Sequence, residues 1–182
     1  MKSKVPESLG RGTAKLIVTS RDLYAVRQTK AALRAAVTGA RVRRAGFRGI
    51  FILEAEGDAL ELAERINQEC FQSIGHTTAV LAEVQSTLDP IKEAAVKIGA
   101  EQIGEDEKFC FRLHKRGSHL LEQETPKLEY EIGGAIWVAL QQKYGKKPNV
   151  DLKNPDITVV AEVLGPNTAV GILRKAWRVS AT

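Results

Sequence analysis

The sequence predicts an α+β fold made of two modules, and three observations carry this prediction. The first half alternates short apolar runs, rich in β-branched residues, with two segments of helical periodicity. The second half contains two longer amphipathic segments, each opened by a capping residue and a proline. Near its end, a turn at residues 154–156 leads directly into an apolar strand. We place the boundary between the modules near residues 86–89.

The first half, after a loose tail at residues 1–12, is predicted to contain four strands and two helices. We expect the strands at residues 15–19, 40–45, 49–55 and 77–84. Ser20 or Asp22 can cap the first helix and Asp58 the second, because their side chains accept hydrogen bonds from free amides. The order β-α-β-β-α-β is the ferredoxin-like pattern, with both helices on one face of a four-stranded antiparallel sheet. We therefore assign residues 13–86 to a ferredoxin-like domain.

A hairpin between the second and third predicted strands is rich in arginine. It contains Arg41, Arg43, Arg44 and Arg48, with Phe47 at its tip. Such a hairpin is either a solvated loop or a surface that contacts phosphate groups. Its spacing resembles part of the acetyl-coenzyme A loop R-x-x-G-x-G/A, but we reject that match. The loop leads into a strand, whereas pyrophosphate binding needs the free amides of a helix start.

The second half is predicted to place one alternating strand between two helices. Asp89-Pro90 and Thr125-Pro126 open the helices, and the strand covers residues 109–116. One side of the strand carries Phe109, Phe111 and Leu113, and the other carries Cys110, Arg112, His114 and Arg116. A strand that buries aromatic residues and presents arginines suits an RNA-binding sheet. A half-exposed strand with incidental charges would show the same alternation.

Gly133 and Gly134 lie in the middle of the second of these helices. Each glycine costs roughly 1 kcal/mol relative to alanine in a helix interior. We therefore predict that another backbone packs very close to this point. Lys143, Lys146 and Lys147 follow near the helix end, where the helix dipole explains them as well as a ligand would.

The run from residue 149 to residue 163 combines a turn with a buried strand. Asn154-Pro155-Asp156 forms the turn, because proline fixes its own φ and the Asn and Asp side chains bond nearby backbone groups. The strand at residues 157–163 is apolar on both faces, which is typical of a strand inside a sheet. After a turn at residues 165–167, a final strand at residues 168–179 completes a hairpin. An ordinary turn before an ordinary buried strand would look the same.

Composition narrows the function only slightly. The chain has 27 lysines and arginines against 22 acids, a net charge of +5 that fits nucleic-acid binders and many other soluble proteins. Two cysteines make neither a disulfide framework nor a zinc site, and we expect Cys110 to be a core thiol. No apolar run is long enough to span a membrane, and the N-terminus does not resemble a signal peptide. We therefore expect a cytoplasmic protein.

The motifs of the second half resemble those of a THUMP domain, a module of tRNA thiouridine synthases, tRNA methyltransferases and pseudouridine synthases. The residues that carry the resemblance are Phe109-Cys110-Phe111-Arg112, Arg116-Gly117, Glu131-Ile132-Gly133 and Val150-Asp151-Leu152-Lys153-Asn154-Pro155-Asp156. Their order and spacing match across most of residues 90–178. We assign residues 87–182 to a THUMP α/β domain, although the motif region could begin near residue 75. The first half resembles the ferredoxin-like domain that usually precedes it.

This resemblance implies tRNA binding, through the acceptor stem and the 3′ end. The residues expected to contact RNA in the second half are Arg112, Lys115, Arg116, Lys153, Asn154, Arg174, Lys175 and Arg178. Arg43, Arg44 and Arg48 would extend the same surface from the first domain. We expect these cationic side chains to line one continuous groove.

The resemblance also bears on catalysis. The chain has no G-x-G-x-x-G after a strand for S-adenosylmethionine and no S-G-G-x-D-S loop for adenylation. Its arrangement resembles the stand-alone adaptor that presents tRNA to an RNA cytidine acetyltransferase, so we expect no catalytic residue, cofactor or metal. One alternative is a small hydrolase or transferase, with His76, His114, His119, Cys70 and the acids of residues 122–131 as candidates. The other is the RNA-binding subunit of a split tRNA thiolation, methylation or pseudouridylation enzyme.

Overall fold

A computed structural model describes residues 12–178 of the chain. The tail predicted at residues 1–12 lies, except for Gly12, outside the described residues, as do residues 179–182. The elements of the first half are β1 (Thr13–Ser20), α1 (Val26–Ala36), β2 (Arg41–Arg44), β3 (Ile50–Glu56), α2 (Ala59–Glu69) and β4 (Ile74–Gln85). Those of the second half are α3 (Leu88–Gln102), β5 (Lys108–His114), α4 (Thr125–Tyr144), β6 (Asn149–Val150), β7 (Ile157–Leu164) and β8 (Asn167–Arg174), followed by a 3-10 turn (Lys175–Trp177). The predicted final strand therefore ends at Arg174.

All eight strands form one mixed sheet in the order β2-β3-β1-β4-β8-β7-β5-β6. The first-half strands pair antiparallel, and β4 also pairs antiparallel with β8 of the second half. Only β5 makes parallel pairs in the described sheet, with β6 and with β7. The element order predicted for the first half is present, but its sheet continues into the second half. A division near residues 86–89 stays a prediction.

The four helices of the described chain pack on one face of this sheet, which we call the helix-covered face. A row of aligned residues on that face crosses the sheet from Leu53 through Leu16, Ala79, Ile172 and Val159 to Phe111. These residues belong to the same buried cluster as Leu33, Ile66, Ile91 and Ile132 of the four helices. We call the opposite side the open face. Because strand residues alternate between faces, it carries Ile17, Ile52, Val160 and Glu162.

The helix starts depart from the predicted caps in three places, of which the last is α4, where the cap position is Glu124 and Thr125 is already helical. Asp58 caps α2 as predicted, accepting from the amides of Leu60 and Glu61. Asp22 instead bonds the amide of Tyr24 in a turn ahead of α1, which begins only at Val26. In α3 the cap position is Thr87, and Asp89 lies inside the first turn, where its charge still complements the helix dipole.

The predicted close backbone at Gly133 and Gly134 is wrong. A Cβ atom at Gly133 would lie 3.8 Å from its nearest neighbour, and one at Gly134 would meet nothing within 4 Å. The close approach of α3 and α4 occurs at Gly99, where a Cβ would lie 2.8 Å from Cγ2 of Ile136. Gly133 and Gly134 instead help line an apolar surface groove with Phe111, Tyr130, Trp137, Val150 and Leu152.

None of the helices in residues 12–178 is both long and apolar enough to cross a bilayer.

Candidate nucleic-acid interface

Strand β5 has the alternation predicted for it. Phe109, Phe111 and Leu113 are buried under the helices, and the intervening side chains lie on the open face. Cys110 is buried, with Sγ 3.6 Å from Oγ1 of Thr158, and burial raises its thiol pKa. The expectation of a core thiol is therefore confirmed.

The loop between β6 and β7 is shaped by the two aspartates of the V-D-L-K-N-P-D run. Oδ1 of Asp151 accepts hydrogen bonds from the amides of Lys153 (3.0 Å) and Asn154 (2.9 Å). These bonds hold the pKa of the Asp151 carboxyl below its usual range. Asp156 accepts from the amide of Lys108 through Oδ2 (2.9 Å) and donates its own amide to the Lys108 carbonyl (2.8 Å). Both aspartates therefore position the loop, and the side chains of Lys153 and Asn154 remain exposed to solvent.

A depression of about 310 Å³ lies on the open face beside this loop. We call this depression the basic pocket. Five of the residues that line it were predicted to contact RNA: Arg112, Lys153, Asn154, Lys175 and Arg178. Thr158, Val160 and Leu173 belong to the strands beneath it. Residues far apart in sequence thus meet at one concave surface of positive charge, which favours an anionic ligand.

The cations of the basic pocket differ in how far they are neutralised. Arg112 is partly committed, since Nη1 lies 3.3 Å from Oε2 of Glu129 and Nη2 donates to the Leu152 carbonyl at 2.7 Å. Lys153, Lys175 and Arg178 are exposed, and within residues 12–178 none of them makes an ion pair. The 3-10 turn that carries Lys175 is held by its amide, which donates to the Asp156 carbonyl at 2.9 Å. These three charges are available to a ligand.

A buried carboxylate lies next to the pocket, at a position to which the sequence assigned no role. Glu162 is 0% exposed, and its Oε2 lies 2.5 Å from Nη1 of Arg116. Its Oε1 lies 3.7 Å from Nε2 of His76, beyond hydrogen-bond distance, and the ring centroids of His76 and His114 are 6.4 Å apart. Burial alone would raise the pKa of Glu162, but the neighbouring His76, Arg116 and His114 outweigh it and lower the pKa. Glu162 is therefore an ionised centre of a charge cluster.

This cluster does not assemble the residues of the enzyme alternative. His76 and His114 meet, whereas His119 accepts from the amide of Leu121 through Nδ1, and Cys70 is buried on the helix-covered face. Nucleophilic catalysis needs a nucleophile within hydrogen-bond reach of its base, and the candidate nucleophile Cys70 does not meet the histidine pair. The hydroxyl beside His76 is that of Thr19, which also accepts a hydrogen bond from the His76 amide. In residues 12–178, no group of three or more His, Cys, Asp or Glu side chains is arranged to hold a metal ion.

Three other cations predicted to contact RNA have partners within the protein. Arg116 is paired with Glu162, and the Lys115 ammonium donates to the Gln123 carbonyl. Arg174 pairs with Glu107 at 2.8 Å and donates to the Gln102 carbonyl at 2.9 Å. Because Arg174 aligns with the buried Ile157, its side chain leaves the strand on the helix-covered face, away from the basic pocket. Their RNA contacts stay predictions.

The hairpin arginines point in different directions. Arg43 aligns with Ile52 and lies on the open face, whereas Arg44 aligns with Phe51 and lies on the helix-covered side. The guanidinium of Arg48 lies over the ring of Tyr24, 4.6 Å from its centroid, in a cation–π contact. The single continuous groove expected from the sequence is therefore formed only in part, by the residues of the basic pocket.

The tip of the same hairpin contacts the second half of the molecule. A Cβ atom added to Gly117, in the loop after β5, would lie 2.9 Å from Cζ of Phe47. Phe47 is half-buried and packs against the small apolar cluster of the open face. The tip of the hairpin thus packs against the loop after β5 and connects the two halves. Its arginine content did not indicate this role.

Comparisons with known proteins identify the second half. A family model of the THUMP domain matches residues 85–173. A tRNA sulfurtransferase from Photobacterium profundum is 36% identical over 90 residues, which are 50% of this chain and 17% of that protein.

Two solved structures share the fold over most of the chain. One is a 4-thiouridine synthetase–RNA complex with bound ATP (TM-score 0.57, 18% identity, 88% of this chain and 41% of that one). The other is a possible methylase from Clostridium difficile (TM-score 0.62, 12% identity, 88% and 41%). The matched part is less than half the length of each of these three proteins. Residues 85–173 of this chain belong to the THUMP domain family.

Proposed function

We propose that this chain binds tRNA through the basic pocket and the open face around it. The observation that carries the proposal is the group of three unpaired cations, Lys153, Lys175 and Arg178, held at one concavity by backbone hydrogen bonds. Phosphate groups are the usual partners of such a surface, and they supply most of the affinity of proteins for nucleic acids. The THUMP assignment and the relative named as a tRNA sulfurtransferase support tRNA as the ligand.

The first candidate role is that of a non-catalytic, cytoplasmic adaptor. In this role the chain holds the acceptor stem and 3′ end of tRNA and presents it to a cytidine N4-acetyltransferase. The first half would be a ferredoxin-like module, and its antiparallel strand order β2-β3-β1-β4 supports that assignment. A rigid platform suits such a role, because the sheet continues without a break from one half into the other.

The second candidate role is that of the RNA-binding part of a thiolation or methylation system. It is favoured by the names of similar proteins, a tRNA sulfurtransferase at 36% identity and a possible methylase with the same fold. The same basic pocket would hold the tRNA in this role. The two candidates differ in the enzyme that acts on the bound tRNA.

Binding to an unmodified tRNA transcript tests the shared part of the proposal. With Arg112 and the three unpaired cations engaged, about four phosphates are neutralised, and log K should fall against log salt with a slope of about −3. Fluorescence anisotropy over a salt series measures this slope. Absence of binding at low salt would contradict the proposal.

Partner capture separates the two roles. The full chain is used as bait in its source cell extract, and the captured material is incubated with tRNA and either acetyl-coenzyme A or sulfur and methyl donors. N4-acetylcytidine in the tRNA nucleosides supports the adaptor for acetylation, whereas thiouridine or a methylated base supports the second role. A modified nucleoside made by the purified chain alone would overturn the non-catalytic assignment.

A further inference from the structure

His76 and His114 line the basic pocket beside the cationic residues. They come from different halves of the molecule, His76 from β4 and His114 from β5. Glu162 lies within 3.7 Å of His76 and aligns with His114 in the pairing of β5 with β7. The pair therefore has a negative charge on its buried side and positive charges along the pocket.

The charged and polar groups around the pair come from several elements, whereas β8 contributes the apolar Leu173. Strand β1 contributes Thr19, whose Oγ1 lies 3.2 Å from Nδ1 of His76. Strand β7 contributes Glu162, and α4 contributes Glu129, which pairs with Arg112 of the same pocket. The cations that surround the pair are Arg112, Arg116, Lys153, Lys175 and Arg178.

In the free protein this environment favours the neutral form of His114. Burial lowers the pKa of His114, and Arg116 and His76 lower it further, while Glu162 and Glu129 oppose the shift. A phosphate placed in the pocket would add a negative charge on the solvent side of both rings. An imidazolium could then lie between two anions, the phosphate and the Glu162 carboxylate, and donate a hydrogen bond to the phosphate.

We propose that the His76–His114 pair takes up one proton from solvent when an RNA phosphate occupies the basic pocket, so that RNA binding tightens as the pH falls. The inference rests on the proposed function, because it requires RNA in this pocket. Its sign follows from linkage: the complex holds more protons than the free protein, so lowering the pH favours the complex. The two histidines become RNA-contacting residues, which the sequence had considered only as candidates for catalysis.

The pH dependence of binding tests the inference. The affinity of the full chain for an unmodified tRNA transcript should rise about fivefold from pH 8 to pH 6 at constant ionic strength, as expected for uptake of up to one proton. The double variant H76Q/H114Q should lose this dependence, so that its affinity for the transcript at pH 6 equals its own affinity at pH 8. His119→Gln is the matched control, since His119 is outside the pocket, and it should keep the full dependence. Titration of the RNA itself would affect all three proteins equally.

The outcomes distinguish this inference from the proposed function. If the wild-type chain binds no tRNA at any pH, the proposed function fails. If it binds with equal affinity at pH 6 and pH 8, or if H76Q/H114Q keeps the wild-type profile, the histidine inference is overturned while tRNA binding stands.

A measurement on the wild-type chain covers the case in which the double variant does not fold. At pH 7, nitrogen-15 NMR of the imidazole rings should show two of the three histidines shifting toward the protonated form when tRNA is added. The third ring, that of His119, should not shift. Unchanged signals from all three rings in the bound state would contradict proton uptake.

Discussion

Two basic regions of this molecule look alike in sequence and differ in structure. The loop and turn around the basic pocket carry Lys153, Lys175 and Arg178, and the hairpin of the first half carries Arg43, Arg44 and Arg48. The first set converges on one depression, whereas the second set points to the open face, to the helix-covered side and onto the ring of Tyr24. A similar number of positive charges therefore gives one concentrated surface and one dispersed surface.

The difference arises from what holds the backbone beneath each set. Asp151 and Asp156 fix the loop through amides of the loop itself and of β5, and the Asp156 carbonyl fixes the 3-10 turn. The hairpin is a two-stranded ladder at the sheet edge, and strand alternation sends Arg43 and Arg44 to opposite faces. Anchoring of the backbone, rather than the count of arginines and lysines, concentrates positive charge.

Removing the charges of the basic pocket gives the largest expected effect on RNA binding. Substituting Lys153, Lys175 and Arg178 by alanine should weaken tRNA binding by roughly two orders of magnitude and reduce the salt slope by about 2 to 3. Substituting Arg43, Arg44 and Arg48 by alanine removes the same charge but should weaken binding by less than about tenfold. Anisotropy titrations across a salt series measure both variants. Equal losses would show that the dispersed hairpin contacts RNA as fully as the pocket does.

Two paired glutamates, one from each half, also differ in burial. Glu162 is fully buried against Arg116, whereas Glu54 is partly exposed and lies 3.8 Å from Lys15. Glu162→Gln leaves Arg116 without its counter-charge and should reduce the free energy of unfolding by about 2 kcal/mol near neutral pH. Glu54→Gln is the matched control, and a partly exposed pair of this kind should cost less than about 0.5 kcal/mol. Urea denaturation of the three proteins measures both differences.

The pH dependence of the Glu162→Gln effect has a definite sign. The folded-state pKa of Glu162 is lowered from its ordinary value of 4.5, so its stabilising contribution is complete above that value. The contribution is lost as the pH falls through the folded pKa, where the carboxylate becomes protonated. The gap between wild type and variant should therefore narrow below about pH 4. A gap that widens in acid would mean that the charge on Glu162 destabilises the fold.

Local patterns in the sequence predicted the parts of the site that depend on neighbours in the chain. The alternation of β5 and the cap at Asp58 both involve residues within a few positions of one another. The loop before β7 is instead held by Asp151 and by the bond of Asp156 to Lys108, not by local bonds of the Asn154 and Asp156 side chains. The face on which Arg174 lies could also have been predicted, because strand alternation places it with the inward Ile172. Counting positions along the strand would have placed Arg174 on the helix-covered face, whereas Lys175 lines the basic pocket on the open face.

Long-range contacts explain what the sequence did not reveal. Glu162 is an acid within a strand of apolar residues, which indicates a buried partner, but Arg116 is 46 positions away. The cost of Gly133 and Gly134 was visible, whereas the close helix contact lies at Gly99 of another helix. The pairing of β4 with β8, which joins the halves, depends on an edge that no local pattern marks.

Two glycines, Gly117 and Gly46, test the contact through which the hairpin supports the second half. Both have positive φ, +75° and +84°, but a Cβ at Gly46 would meet nothing within 4 Å. Gly46→Ala should therefore cost only the backbone strain, about 1 kcal/mol, whereas Gly117→Ala should cost about 1 kcal/mol more because its Cβ collides with Phe47. In a Phe47→Ala background that collision is removed and the 3.2 Å approach to Cα of Gly165 remains, so the extra cost of Gly117→Ala should fall by at least about half. Thermal and urea unfolding measure this double-mutant cycle. If the extra cost of Gly117→Ala were undiminished without Phe47, the aromatic ring would not be what restricts residue 117, and the contact between the hairpin tip and the second half would not stabilise the fold.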